Sequence, residues 1–283
     1  MKKTLSIISA VILILTMLTA CGGEEAAIAT TESTKPSTST TTTTTMRTTE
    51  NLSTTFKEAQ TAKIHPALNK DTSGDYYYKL SEFTTYYLAT NATRTVNINN
   101  AVKKLNNVVI PDGSVFSFNQ VVGKRTVLAG YQEALVVEGD EFVEGLGGGI
   151  CQVSSTIFQA ALRANLDITV RACHSLEISY VPLGGDATVQ WNSQDFQFRN
   201  NCGSDIKLKV GSDNGVLTCS IYAKDDVSVG DVKINITKNG DSYTLTRTVD
   251  GVTNYTTYST YKKAKTTTTK KSETTKKATT KKR

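Results

Sequence analysis

Residues 145–162 read GLGGGICQVSSTIFQAAL, a glycine-rich loop that runs directly into a helical pattern. Four of the first five residues are glycine, and Cys151 follows them closely. From residue 150 onward, apolar residues recur at 150, 153, 157, 161 and 164. This spacing lays one apolar stripe along a helix that ends near Asn165. The stretch therefore predicts a thiol in the first turn of a helix that packs against the core.

The glycines before Cys151 have two explanations. The bare backbone of Gly147, Gly148 and Gly149 could let a substrate carbonyl approach a nucleophile. Alternatively, it could let two pieces of protein backbone pack closely around a small buried cysteine, and packing is the commoner role of a cysteine at a helix start. The local sequence is compatible with both explanations.

Strand-like patterns surround this helix on both sides. Alternating runs predict strands at 115–118, 134–143, 166–170, 178–181, 187–191 and 196–200. Two more runs, 206–210 and 216–222, flank Asp213-Asn214-Gly215 as a hairpin. The predicted fold class is α+β, with a mainly antiparallel sheet packed on one central helix and a small C-terminal β extension.

The N-terminus has the pattern of an export signal. Lys2 and Lys3 precede an apolar run from residue 5 to residue 20, which ends in Leu-Thr-Ala-Cys. The run is shorter than the roughly 20 apolar residues that span a bilayer. Its ending resembles the lipobox of bacterial lipoproteins, so residues 1–21 are predicted to be a lipoprotein signal peptide, with Cys21 as the lipidated residue. This predicts a lipid-anchored protein on the extracellular face of the bacterial cell membrane.

Composition divides the rest of the chain. Residues 22–75 are rich in Thr and Ser and are predicted to be a disordered stalk, and residues 262–283 are predicted to be a disordered Lys/Thr-rich tail. The folded domain is predicted at 76–226 and the β extension at 227–261. The tail carries nine Lys, one Arg and one Glu, so the net charge of +6 for the whole chain leaves −3 for the remainder. Because the basic charge lies in the tail, no nucleic-acid partner is predicted.

The sequence offers Cys151 one base. A helix N-terminus lowers the pKa of a thiol, and the thiolate is the nucleophilic form. His174 is the one histidine of the predicted folded domain, and Asp186 begins a later strand from which it could orient the imidazole. Backbone amides near Cys151 and the side-chain amide of Gln152 could bind an oxyanion. Cys, His and Asp in this order are a recurrent layout for thiol acyl transfer and hydrolysis.

Each of these residues also has a structural explanation. A loop histidine is more often a surface or locally hydrogen-bonded group than a base, and an Asp after two glycines often forms an Asx turn. The acidic residues at 138, 140, 141 and 144 are expected to form a solvated face rather than a glycosidase pair. No cysteine pair has metal-knuckle spacing, and histidines are scarce, so no metal site and no cofactor are predicted.

The pairing of the other cysteines stays open at this point. A disulfide between Cys202 and Cys219 would suit an exported protein. Against it, the predicted hairpin places Cys219 opposite about residue 208. The pairing of Cys173 is likewise undetermined.

Several separated motifs resemble the VanW family, which is named for a protein encoded in some vancomycin-resistance clusters. The motifs are SEFTT at 81–85 with Arg94 and Asn97 after it, PDGSVFSFNQVVGKRT at 111–126, Gly130-Tyr131, the glycine loop with its helix, His174-Ser175, YVPLGGDATVQW at 180–191 and DFQFRN at 195–200. Residues 147–152, His174, Ser175 and Asp186 fall on motif positions. Gly147, Gly148, Gly149 and Ser175 are therefore candidate ligand-binding residues. Cys173 departs from the pattern and adds the option of a redox link to Cys151.

The resemblance implies a bacterial surface protein linked to the cell wall. One hypothesis is a Cys-nucleophile acyl transferase or amide hydrolase that acts on peptidoglycan stem peptides. Cys151 would attack, His174 would act as base and then acid, Asp186 would orient it, and Gln152 would help to hold the oxyanion. The alternative is a non-catalytic peptidoglycan-binding or scaffolding module linked to the cell-wall antibiotic response, whose glycine loop binds an anion through backbone amides. The predicted partners are peptidoglycan or another cell-wall polymer, and the membrane through the lipid anchor.

Overall fold

The computed structural model describes residues 74–263. The predicted signal peptide, Cys21 and nearly all of the predicted stalk and tail lie outside these residues. Between residues 74 and 263, none of the helices combines the length and the apolar character that crossing a bilayer requires.

Twelve strands and three α-helices follow one another in this part of the chain. In chain order they are β1 (Tyr78–Tyr86), α1 (Ala92–Leu105), β2 (Val109–Ile110), β3 (Val115–Ser117), α2 (Phe118–Val122), β4 (Glu133–Glu138), β5 (Glu141–Leu146), α3 (Ile150–Arg163), β6 (Asp167–Val170), β7 (Gln197–Arg199), β8 (Ile206–Asp213), β9 (Val216–Ala223), β10 (Val232–Asn239), β11 (Ser242–Val249) and β12 (Val252–Thr260). A short 3-10 helix (Val127–Ala129) precedes β4.

The strands form four antiparallel sheets. Their orders are β1-β9-β8-β2, β3-β7-β6, β4-β5 and β10-β11-β12. The mostly antiparallel, mixed α and β character predicted from the sequence is therefore confirmed. Packing on one central helix is not confirmed, because residues 74–263 contain three α-helices and separate sheets rather than one sheet.

The predicted hairpin of β8 and β9 is present. Asn214 and Gly215 both have positive φ, at 46° and 82°, which a type I′ turn requires. Asp213 pairs with Val216, so the loop contains only these two residues and Cys219 lies opposite Val210. The estimate of residue 208 as its partner was wrong because it assumed a longer turn.

Helix α3 is buried along nearly its whole length. Every residue from 150 to 163 is buried except Cys151 and Arg163, at or near its two ends. Its Phe158 ring meets Phe196 edge-on at 5.6 Å, and Phe116 stacks on Phe198 at 4.8 Å, which joins the helix to the β3-β7-β6 sheet. The helical stripe read from the sequence is confirmed, and its burial fixes the position of Cys151 relative to the core.

The predicted strands at 178–181 and 187–191 do not form. Within this segment the structure has isolated bridges only, such as that between Ala172 and Thr188. Hydroxyl groups of α3 replace a strand ladder as backbone partners: Ser154 Oγ donates to Ala187 O at 2.5 Å, and Ala187 N donates to Ser155 Oγ at 3.0 Å. These bonds satisfy buried backbone groups without a neighbouring strand, and they hold the segment against the start of α3.

The segment predicted as a β extension forms the three-stranded sheet of β10, β11 and β12. Arg247 of β11 donates from Nη1 to the carbonyls of Leu162 and Leu166 at the end of α3, at 3.4 and 2.7 Å. Arg171 donates from Nη1 to Ser259 Oγ of β12 at 3.2 Å. Two buried arginines therefore fasten this sheet to the rest of the fold.

Candidate active site

Cys151 occupies the second position of α3 and is partly exposed. Gly149, which caps the helix, has φ of 106° and offers no side-chain cap, and the first helical amides use backbone acceptors: Ile150 N donates to Gly147 O and Gln152 N to Gly149 O, both at 3.1 Å. The sulfur lies 3.3 Å from Thr188 Oγ1 and 3.5 Å from Val189 O. The thiol therefore faces the segment that the hydroxyl groups of α3 hold in place.

His174 and Asp186 meet at this same place. His174 Nδ1 lies 2.8 Å from Asp186 Oδ2, and the backbone N–H of His174 donates to that oxygen at 3.1 Å. The other carboxylate oxygen accepts from Arg171 Nη2 at 2.8 Å, and Asp186 is completely buried. A carboxylate fixed from two sides holds the ring with Nδ1 toward Asp186. The hydroxyl of Tyr180 lies 3.4 Å from Nε2.

The thiol and the imidazole each shift the pKa of the other in the direction of the charged pair. Burial by itself would raise the pKa of Cys151, but a hydrogen bond to His174 and the charge of the imidazolium lower it to about 7. Burial would lower the pKa of His174, whereas hydrogen bonds to Asp186 and Cys151 raise it to about 9. Between these two values the thiolate and the imidazolium coexist. This is the state in which a cysteine is nucleophilic and its partner can donate a proton.

The glycine loop makes room for protein atoms. A Cβ atom at Gly148 would lie 2.7 Å from Leu135 O, and one at Gly147 would lie 3.1 Å from Arg125 Cγ. At Gly149 it would meet Arg94 Cγ at 3.1 Å. This geometry agrees with the second explanation of the loop, in which bare backbone permits close packing. The ligand-binding role of the three glycines stays a prediction, and it now depends on their backbone amides.

Gln152 is committed to other partners. Its Nε2 donates to Thr85 Oγ1 at 3.1 Å and to Tyr86 O at 2.9 Å, which uses both amide hydrogens. Its Oε1 accepts from Arg94 Nη2 at 2.7 Å. Gln152 could donate to an oxyanion only if one of the bonds from its Nε2 broke. In the structure its side chain instead positions Arg94. Its predicted oxyanion role stays a prediction.

Arg125 is the second arginine at the thiol. Its Nη1 donates to Asn119 Oδ1 at 2.7 Å and to Gly123 O at 3.0 Å. Burial lowers the pKa of both Arg94 and Arg125, and the charge of a Cys151 thiolate raises it in both. The sulfur thus lies in positive surroundings that favour its ionised form.

Ser175 contacts a different part of the fold. Its hydroxyl donates to the carbonyl of Gly139, at the tip of the hairpin formed by β4 and β5. Lys262 pairs with Asp140 of the same tip at 3.1 Å and donates its backbone N–H to Ser175 O at 2.9 Å. The hairpin therefore spans from the glycine loop to the loop that carries His174. The role of Ser175 in ligand binding stays a prediction.

Of the other cysteines, Cys173 directly precedes His174, whereas Cys202 follows β7 and Cys219 lies in β9. Neither Cys202–Cys219 nor Cys151–Cys173 is a disulfide. Burial raises the pKa of Cys219 far above its usual range. Among residues 74–263 no group of His, Cys, Asp and Glu side chains could hold a metal ion.

Sequence reasoning placed Cys151, His174 and Asp186 in one hypothesis, and the structure brings the three together. It missed Arg171, Thr188 and the positions of the two arginines at the thiol. Arg94, Arg125 and Thr188 lie in the motifs quoted above, and those motifs are the signal that could have pointed to them. Arg171 lies in none of these motifs, and only the folded chain brings it to Asp186.

Comparison with known proteins places the triad inside a recognised region. Residues 93–222 match the family described as VanW like protein. The chain is 41% identical over 150 residues to the Uncharacterized protein YoaR of Bacillus subtilis (strain 168), which is 53% of this chain and 50% of that protein. It is 27% identical over 135 residues to the Vancomycin B-type resistance protein VanW of Enterococcus faecalis (strain ATCC 700802 / V583), or 46% of this chain and 49% of that protein. The chain thus spans about half the length of these curated relatives. No solved structure matches significantly.

Proposed function

Because residues 93–222 of this chain are a VanW-like domain, we propose that the protein acts at the bacterial cell wall as a cysteine-dependent acyl transferase or amide hydrolase. Its substrates are peptidoglycan stem peptides. Similarity to a vancomycin-resistance protein supports the cell-wall assignment. In this proposal, lipid at Cys21 holds the protein on the outer face of the membrane, and the Thr/Ser-rich stalk carries the domain toward the wall.

One observation carries the proposed reaction: a partly exposed sulfur and an imidazole that a buried carboxylate holds lie close enough for each group to shift the pKa of the other. The Cys151 thiolate attacks the carbonyl carbon of an amide and forms a C–S bond. The His174 imidazolium gives its Nε2 proton to the departing nitrogen as the C–N bond breaks. Asp186 keeps the ring oriented and its Nδ1 protonated.

The second half of the reaction uses the same residues in reverse. A water molecule or an acceptor amine attacks the thioester, and His174 takes the proton that the attacking group loses. The C–S bond then breaks and the thiolate is restored. Water as acceptor gives hydrolysis, and an amine gives transfer. The backbone N–H of Cys151 and the positive end of the α3 dipole stabilise the negative oxygen in both tetrahedral intermediates.

The test uses the full chain and synthetic stem peptides. Intact mass measurement is expected to show an acyl adduct on the wild-type protein, and peptide mapping should locate it at Cys151, with release of one amine product. Cys151→Ala should form no adduct and release no amine while keeping the same circular dichroism spectrum.

Absence of any adduct or amine release from wild type, across stem peptides of different length, would overturn the enzymatic proposal. Binding of the folded Cys151→Ala protein to isolated cell-wall sacculi would then support the scaffolding alternative. Such a module needs the fold and not the thiol.

A further inference from the structure

Two arginines without a carboxylate partner lie beside Cys151. The stem of Arg125 packs on Gly147 and that of Arg94 packs on Gly149, so the two side chains lie along the glycine loop that leads to the thiol. Within residues 74–263, neither guanidinium forms an ion pair with Asp or Glu. The buried Arg171, in contrast, is paired with Asp186 at 2.8 Å. The nearest carboxylate effect on Arg125 comes from Asp195, whose charge raises the pKa of Arg125 without a contact ion pair.

Arg125 also has a hydrogen-bond donor to spare. Its Nη1 is bonded to Asn119 and Gly123, whereas its Nη2 is buried and has no partner among the described residues. Burying a charged donor without a partner is costly, and folded proteins rarely leave one so. Arg94 differs, because Gln152 accepts from its Nη2 at 2.7 Å. Because Nη2 is buried, a ligand anion would reach it only if the Arg125 side chain moves, and such a ligand would supply the missing partner.

We propose that Arg125 binds a carboxylate of the acyl substrate next to the bond that Cys151 attacks, and that it makes the enzyme selective for peptides in which this carboxylate is free. This inference rests on the proposed function. A guanidinium presents planar N–H groups that match the two oxygens of a carboxylate. Such charge-assisted hydrogen bonds are stronger than those between neutral groups. Peptide stems carry carboxylates close to their amide bonds, whereas an amidated stem offers a neutral group at the same place.

Arg125 has a competing role that the experiment must separate. A positive charge near the sulfur stabilises the thiolate for every substrate alike. A carboxylate-binding residue instead favours one member of a pair of peptides that differ in a single carboxylate. The ratio of the two rates therefore reports binding of the carboxylate, while the alkylation rate of Cys151 reports the thiolate.

The test measures kcat/KM of the full chain for stem peptides in matched pairs, in which one carboxylate at a time is amidated. For wild type, amidation of one particular carboxylate should lower kcat/KM by about ten- to a hundredfold, as expected for loss of a charge-assisted hydrogen bond. Arg125→Gln should lower kcat/KM for the peptide with the free carboxylate to nearly the value for its amidated counterpart. The ratio of the two kcat/KM values should then be close to one. Arg163→Gln, which alters an arginine at the far end of α3, should leave the ratio unchanged.

Equal losses with both peptides in Arg125→Gln would overturn the inference, as would a wild-type enzyme indifferent to every amidation. A calorimetric titration of the same pairs into full-length Cys151→Ala protein keeps this test separate from the proposed reaction. Tighter binding of the peptide with the free carboxylate to Cys151→Ala, lost in Cys151→Ala/Arg125→Gln, supports the carboxylate site even where no acyl adduct forms. Equal affinity for free and amidated peptides counts against it even where acylation occurs.

Discussion

His174 Nδ1 lies 2.8 Å from Asp186 Oδ2, and this contact sets the chemistry of the site. Asp186 is itself held by Arg171 at 2.8 Å in a fully buried position. A fixed carboxylate stabilises the imidazolium and orients its free nitrogen toward Cys151. The thiol then ionises close to neutral pH, although it lies in a setting that would otherwise keep it protonated.

Alkylation of Cys151 is expected to follow a titration with a midpoint near pH 7. The folded pKa is lowered from 9.0 to about 7, so the reactive thiolate accumulates as the pH rises through that value. His174→Gln removes the two largest effects that lower the pKa of Cys151, leaves those of Thr188 and Val189, and should move the midpoint upward by about one unit or more. The measurement is the iodoacetamide rate at Cys151 between pH 5 and 10, read by peptide mass.

Cys219 is the internal control in that experiment, because it is fully buried and burial raises its pKa. It should remain unmodified until the protein is denatured. A Cys151 that reacts only above pH 9, or only after unfolding, would contradict the charged pair.

Asp186→Asn is expected to abolish acyl transfer and to move the thiol midpoint upward. An amide has no charge to stabilise the imidazolium, so His174 becomes less basic and supports the thiolate less well. Single-turnover acylation and the same alkylation profile measure both effects. The prediction fails if Asp186→Asn retains wild-type acylation at pH 7.

Arg171→Gln should lower the free energy of unfolding by about 3 kcal/mol or more, because it leaves the Asp186 carboxylate buried without its cation. Arg199→Gln is the matched control. Its ion pair with Asp167 is partly exposed, at 40% and 35% of the two side chains, and should contribute less than about 1 kcal/mol. Urea denaturation followed by circular dichroism compares the two, and equal losses would contradict the prediction.

Gly148→Ala is expected to destabilise the fold by about 1–3 kcal/mol, because the new methyl group would lie 2.7 Å from Leu135 O and neither backbone can move freely. Gly211→Ala provides the comparison, since no atom lies within 4 Å of the added Cβ. Its effect should be within about 0.5 kcal/mol. Thermal melting of the two variants decides the matter, and a Gly148→Ala protein as stable as Gly211→Ala would show that the loop is loosely packed.

Local sequence patterns determined the elements that depend on near neighbours in the chain. The apolar stripe of α3 and the position of Cys151 near its start follow from helical periodicity. The hairpin of β8 and β9 follows from the left-handed conformation that Asn214 and Gly215 adopt. Short runs of alternating residues likewise predicted the mostly antiparallel character of the fold. The strand predicted at 187–191 did not form, because the hydroxyls of Ser154 and Ser155, rather than a neighbouring strand, satisfy the backbone of Ala187.

Only the tertiary structure decided what surrounds the sulfur. The sequence supplied a cysteine, a histidine and an aspartate in a plausible order, but it could not show Arg171 fixing Asp186 or Gln152 holding Arg94. Nor could it show that protein side chains and the β4 backbone pack closely against the glycines. These contacts join residues that are distant in the chain, and no local periodicity encodes such contacts. The pKa of a buried group depends on these neighbours, so the chemistry of Cys151 is a property of the folded chain.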